Sequence, residues 1–358
     1  MLKHEMDTSA PPRLLFVDAL RAVVATLVAW HHFALYGPLS HWALAGRWID
    51  WVRDYRSPVQ VFFVVSGYVM ARSMSRHTWH ARQVGCFVVR RYCRLGLPYL
   101  AAVAVAVGVC AMGRGWLPES VVGHSPKLGQ VLAHVVFLQD VLGYESLSAG
   151  LWFVCIDFQL GLMYVGMLYL RDAIAPLFGR AVGEGSTLVL MLLGWALSAP
   201  SLFFFNLEHR LDVWAVYFFG QFFMGVMVYH GLKGSESKML FWLYVAMVAA
   251  ALVYCWRWRL AISLLTGLML FAAGKLDWME RWPASRVVGY LGRTSYSLYL
   301  IHFPVLVAVS TLWVRFGWSS WWNGAFGLIV AYFGSLAAAD GYYRAVEAPA
   351  ARLGSRFS

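Results

Sequence analysis

The stretch DALRAVVATLVAWHHF, residues 18–33, puts an Asp, an Arg and two His into the first long apolar run of the chain. At 100° per residue, the helix from Arg21 to His32 closes three turns and returns to within about 20° of the same face. Asp18 lies one turn before Arg21 on that face, and Ala25, Val28 and Ala29 fill the stripe between. His31 points about 100° away. The polar line Asp18, Arg21, His32 therefore rises about 16 Å from Arg21 to His32. Ionisable groups inside an apolar span face a cavity and mark a pathway or a site. The competing reading is a structural Asp–Arg pair with a His at the interface.

Other polar residues interrupt apolar runs further along. In VVRRYCRLGLPYL (88–100), Arg91 and Arg94 stand three apart on one helix face. Guanidinium groups so placed could clamp an anionic phosphate, although anchoring in lipid head groups explains them as well. In LWFVCIDFQLGLMY (151–164), Asp157 and Gln159 fall within a span, where a carboxylate needs a partner such as Arg21 or His32. SPVQVFFVVSGYVMAR (57–72) holds Gln60, Ser66 and Gly67, the last able to admit a neighbouring helix. LGRTSYSLYLIHFPV (291–305) carries Tyr296, Tyr299 and His302, and a lone His302 reads as a packed core histidine. YYRAVEAPAARL (342–353) pairs Arg344 with Glu347 before Pro349, which reads as an end-of-span anchor.

The elements that must hold these residues are membrane helices. Hydrophobic residues make up 60% of the 358-residue chain and charged ones only 13%, against about 25% in soluble domains. Runs long enough to cross a bilayer recur at 14–36, 58–74, 95–113, 150–170, 185–205, 212–230, 239–256, 260–274, 288–312 and 323–340. The expected fold is an all-α polytopic membrane protein of about ten transmembrane helices. An N-terminus in the cytoplasm leaves roughly twice as many Lys and Arg inside as outside, so both termini are expected there. The segment 128–144 is either an eleventh span, which would invert everything after it, or a helix lying at the interface. The net charge of +11 follows this sidedness, so it does not imply a nucleic-acid partner. The five cysteines show no metal-ligand spacing, and no metal site is expected. The first apolar run is too long and too charged for a cleavable signal. One membrane domain over 1–358 is expected, with tails at 1–13 and 354–358.

Taken in order, these blocks resemble the integral-membrane acyltransferase family 3, whose members O-acylate, usually O-acetylate, extracytoplasmic carbohydrates. Asp18, Leu20, Arg21 and His32 are similar to its opening pattern, with Ala19 where Gly is usual. VFFVVSGYVM and the Arg91–Arg94 motif match two further blocks. LWFVCIDFQ matches with Asp157 where Glu is commoner, and SYSLYLIHFPV and YRAVEAP match the last two. The likeness covers about 14–353. It implies a cytoplasmic acyl-CoA donor, with acetyl-CoA the simplest, and no permanently bound cofactor. It also implies a carbohydrate acceptor (polysaccharide, O-antigen or glycolipid) and residence in the cell's inner, cytoplasmic membrane. By the same likeness Arg91 and Arg94 would meet the donor phosphates. His32 would be general base or acyl carrier, Asp18 and Arg21 would orient the site, and Asp157 would fix the tautomer of His32.

Other classes remain possible from sequence. A transporter or flippase of a lipid-linked sugar would share the spans and buried charges, but no internal repeat is visible. A sensor or scaffold would not need a His–Arg–Asp line on one helix. Trp42, Trp48, Trp51, Trp256, Trp258, Trp313, Trp318, Trp321 and Trp322 crowd the expected outer loops. They could stack on sugars, but an interfacial aromatic belt accounts for them more simply.

Overall fold

A computed structural model describes residues 13–43, 58–75, 77–174, 184–283 and 285–357. Every long element is a helix: α1 Leu15–Leu35, α2 Val59–Met74, α3 Ala81–Gly113, α4 Leu151–Ile174, α5 Glu184–Phe203, α6 Ala215–Gly231, α7 Ser235–Tyr254, α8 Trp258–Lys275, α9 Arg286–Arg315 and α10 Trp321–Phe357. Each expected apolar run coincides with one of them. Eight are long and apolar enough to cross a membrane, while α2 and α6 are shorter. The fold is that of an all-helical, polytopic membrane protein.

The packing divides into two groups. In one, α9 lies against α1, α3 and α10; in the other, α6 lies against α2, α5, α7 and α8. Helix α6 is buried at every residue but Val216, so the second group closes around it. It crosses α2 at two glycines: a Cβ at Gly67 would overlap the Phe222 carbonyl, and one at Gly225 would overlap that of Val64. Backbones approach this closely only where both helices drop their side chains. Helices α1 and α9 meet in the same way, where a Cβ on Gly292 would lie 2.7 Å from the Asp18 carbonyl oxygen.

Helices α3 and α10 each change register near one end. Tyr92–Gly96 and Tyr343–Glu347 are π-helical turns, and each is followed two residues on by a proline, Pro98 and Pro349. A proline ring collides with the carbonyl four residues back and supplies no N–H. Shifting the preceding amide to the carbonyl five back accommodates both, as Leu97 does to Tyr92 and Ala348 to Tyr343. The two turns sit near each other, with the Tyr342 hydroxyl donating to the Pro98 carbonyl.

The segment 128–144 corrects both sequence-based expectations for it. Its one helix, Leu128–Val135, has 8 residues, about 12 Å, too short to span. Nor does it lie flat outside the bundle. Val135 accepts a hydrogen bond from the Tyr92 hydroxyl, Phe137 packs on Gly96 and Tyr99, and the Phe137 carbonyl accepts from Gln159. The chain that leaves α3 at Gly113 thus returns some 25 Å along the helix to its arginine-bearing end before climbing to α4. Leu128, Leu132 and Val136 form an exposed apolar stripe, while Ala133 and His134 are buried. Irregular backbone at such depth is tolerated because protein covers it and pairs its polar groups.

Candidate active site

His32 lies in the last turn of α1, beside the middle of α9. Its Nδ1 is 2.7 Å from Nε2 of His302, and His302 Nδ1 is 3.0 Å from the Leu298 carbonyl oxygen. The two imidazole planes differ by 9° with centroids 5.0 Å apart. That separation is two ring radii plus a hydrogen bond, so the rings lie edge to edge in one plane. His302 is fully buried, whereas His32 is partly exposed. Among the described residues Nε2 of His32 has no hydrogen-bond partner.

Gly150, just before α4, lies beside Cε1 of the ring. A Cβ there would lie 3.0 Å from Cε1 of His32 and 3.1 Å from the Tyr299 hydroxyl, and Gly150 has φ +85°, a conformation other residues avoid. The Tyr299 hydroxyl donates to the Gly150 carbonyl, and the Tyr36 ring stands edge-on to His32 at 5.8 Å. Residues from α1, α9 and the turn before α4 therefore converge on one imidazole.

The arginines gather toward the other end of α1. Arg91 is committed: it donates to Oδ2 of Asp157 at 2.9 Å and to the Asp157 carbonyl at 2.8 Å. It lies over Gly161, where any Cβ would crowd its Nε. Ser66 donates to the other carboxylate oxygen of Asp157 at 2.6 Å. This corrects two expectations. Asp157 does not hold the His32 tautomer, because a part-buried carboxylate takes the nearest cation, and α3 presents Arg91 to it. Arg91, in turn, does not present a free guanidinium beside Arg94.

Asp18 likewise does not form a hydrogen-bonded pair with Arg21. It accepts from Arg13 at 2.5 Å, and Arg13 also donates to the Gly289 carbonyl at 3.0 Å. Arg21 is left with no hydrogen-bond or ion-pair partner among the described residues, and the same holds for Arg94, which is exposed on the first π turn. The charged groups of Arg94, Asp18, Glu347 and Asp157 lie within electrostatic reach of Arg21. Glu347, at the end of the second π turn, accepts from Ser297 at 2.5 Å. The expected Arg344–Glu347 anchor is not formed: Arg344 pairs with Asp340 at 2.8 Å instead.

The structure leaves His32 open and Arg21 and Arg94 without partners among the described residues, and beside them it sets His302, Gly150 and Glu347, to which sequence reasoning gave no site role. Tyr299 and His302, three apart on one helix face, carried the available signal. Of the tryptophans, Trp256, Trp258, Trp321 and Trp322 are exposed while Trp313 is buried. Trp48 and Trp51 lie outside the described residues.

The arrangement offers an open imidazole at one end of α1 and, about 16 Å away along it, Arg21, which with Arg94 of α3 has no partner among the described residues. No curated protein and no solved structure matches the chain. The sequence profile of an acyltransferase domain, that of acyltransferase family 3, matches residues 14–340, which include every site residue above except Arg13 and the second π turn. The chain belongs to this family and is a membrane acyltransferase.

Proposed function

We propose that the protein moves an acyl group, most simply acetyl, from cytoplasmic acyl-CoA to a sugar hydroxyl of a polysaccharide, O-antigen or glycolipid on the far side of the inner membrane. The observation that carries this reading is an open His32 at one end of α1, with Arg21 toward its other end and Arg94 on α3, both without a partner among the described residues. Two guanidinium groups held near each other without a protein partner repel until an anion joins them, and a phosphate suits their geometry. Arg94 with Arg21 therefore serves the donor phosphates better than Arg94 with Arg91. The pantetheine arm then runs along α1 toward His32. There the sugar hydroxyl loses its proton to His32 while its oxygen attacks the thioester carbonyl. The carbon–sulfur bond breaks, and the departing thiolate takes the proton from the imidazolium.

Membrane vesicles given acetyl-CoA labelled in the acetyl group, with lipid-linked oligosaccharide or polysaccharide as acceptor, test the reading. Label in carbohydrate that mild base releases is expected. Uptake of a sugar substrate without acylation would overturn it in favour of transport.

A further inference from the structure

We propose that His302 is a positioning residue: it holds His32 in the tautomer that bears its proton on Nδ1 and so leaves Nε2 bare as the basic atom. The proposal rests on the reading of His32 as the base. The proton positions follow from hydrogen-bond polarity. The Leu298 carbonyl can only accept, so the 3.0 Å contact requires a hydrogen on Nδ1 of His302. Nε2 of a neutral His302 is then bare and can only accept, so the 2.7 Å contact requires a hydrogen on Nδ1 of His32. That leaves Nε2 of His32 with its lone pair, on the atom that no described residue engages.

The rings agree with this assignment. An acceptor lone pair on a ring nitrogen lies in the ring plane, and the 9° angle between planes puts the donor there. A histidine that merely filled the core would be satisfied by one backbone carbonyl and would have no reason to align its second nitrogen with a neighbour. Helix α9 also supports the arrangement one turn earlier, where Tyr299 ties the Gly150 backbone beside Cε1 of the His32 ring. Neither imidazole is hydrogen-bonded to a carboxylate among the described residues, so a neutral residue does the orienting that an acidic one performs in other catalytic histidines.

Nitrogen NMR of the full chain in lipid, with labelled histidine, reads the tautomer directly, the His32 signal being assigned by its loss in His32→Ala. Wild type should show His32 protonated on Nδ1 alone. His302→Leu should release His32 into the other tautomer and lower kcat about 100-fold or more, with both KM values little changed. His302→Gln, whose side-chain oxygen can accept in place of Nε2, should recover part of that loss. A wild-type His32 protonated on Nε2 would overturn the assignment, even if His302→Leu failed to fold. So would a fall in folded yield or a rise in KM at undiminished kcat, the signature of a purely structural residue. Full turnover by His32→Ala would instead defeat the base reading, whatever the spectrum shows.

Discussion

At the residue scale, the two adjacent histidines of α1 provide the sharpest contrast. His32 meets His302, Gly150 and Tyr36, whereas His31 points to a different side of the helix. His32→Ala is expected to abolish acyl transfer at normal membrane levels, and His31→Ala to leave most of it. Equal losses in both would remove His32 from the chemistry. The arginines separate in the same manner. Arg21→Ala and Arg94→Ala should each raise the donor KM by about one to two decades, since a charge-assisted hydrogen bond contributes about 1.5–3 kcal/mol. Arg91→Ala should act on folding instead, because it strands the Asp157 carboxylate, and breaking such a pair costs about 3–5 kcal/mol when buried. Detergent-solubilised yield on size exclusion distinguishes the two effects. A normal yield of Arg91→Ala with a raised donor KM would restore Arg91 to the phosphate site.

At the element scale, the π turns are the feature that places charge. Each adds a residue to its helix, and everything on one side of it is rotated by about 100° relative to a continuous α-helix. Arg94 sits inside the first turn and Glu347 at the end of the second. Pro98→Ala removes the steric cause of the first turn. The expected result is a folded protein whose donor KM rises about tenfold while its acceptor KM stays unchanged; steady-state kinetics with both substrates varied checks it. The glycine crossing of α2 and α6 sets a different expectation. Gly67→Ala and Gly225→Ala would each push a methyl group into backbone, where nothing can move aside, so neither variant should yield monodisperse protein.

At the scale of the molecule, the mechanism depends on which side each end of α1 faces. The proposed topology puts the α2–α3 connection inside and the end of α1 outside. His41, exposed just beyond α1, and Gln83, exposed near the start of α3, are suitable probes, whereas neighbouring Ser40 is fully buried. With the five native cysteines replaced, a cysteine at position 41 should react with a membrane-impermeant maleimide in intact spheroplasts. One at position 83 should react only after lysis. The opposite pattern would turn the arginine end outward, where acyl-CoA is absent, and the proposed direction of transfer would fall.

Much of this was legible in the residues alone. Apolar runs of bilayer length determined the helices, because a backbone in lipid must bond to itself within a helix, and each run recurs as one of α1–α10. The 3.6-residue period determined that Arg21 and His32 share a face. Partnership was not legible, because it depends on which helices meet. Asp157 lies between Ser66 and Arg91, three helices that are separate in sequence, and no spacing rule chooses Arg91 over Arg21. The 128–144 segment has the composition of a span, yet it folds back to Tyr92 because α3 and α4 leave a slot that covers its backbone. His302 looked like core until packing set its second nitrogen in the plane of His32, 270 residues away along the chain. Local periodicity decides what a helix presents, and only the tertiary packing decides what receives it.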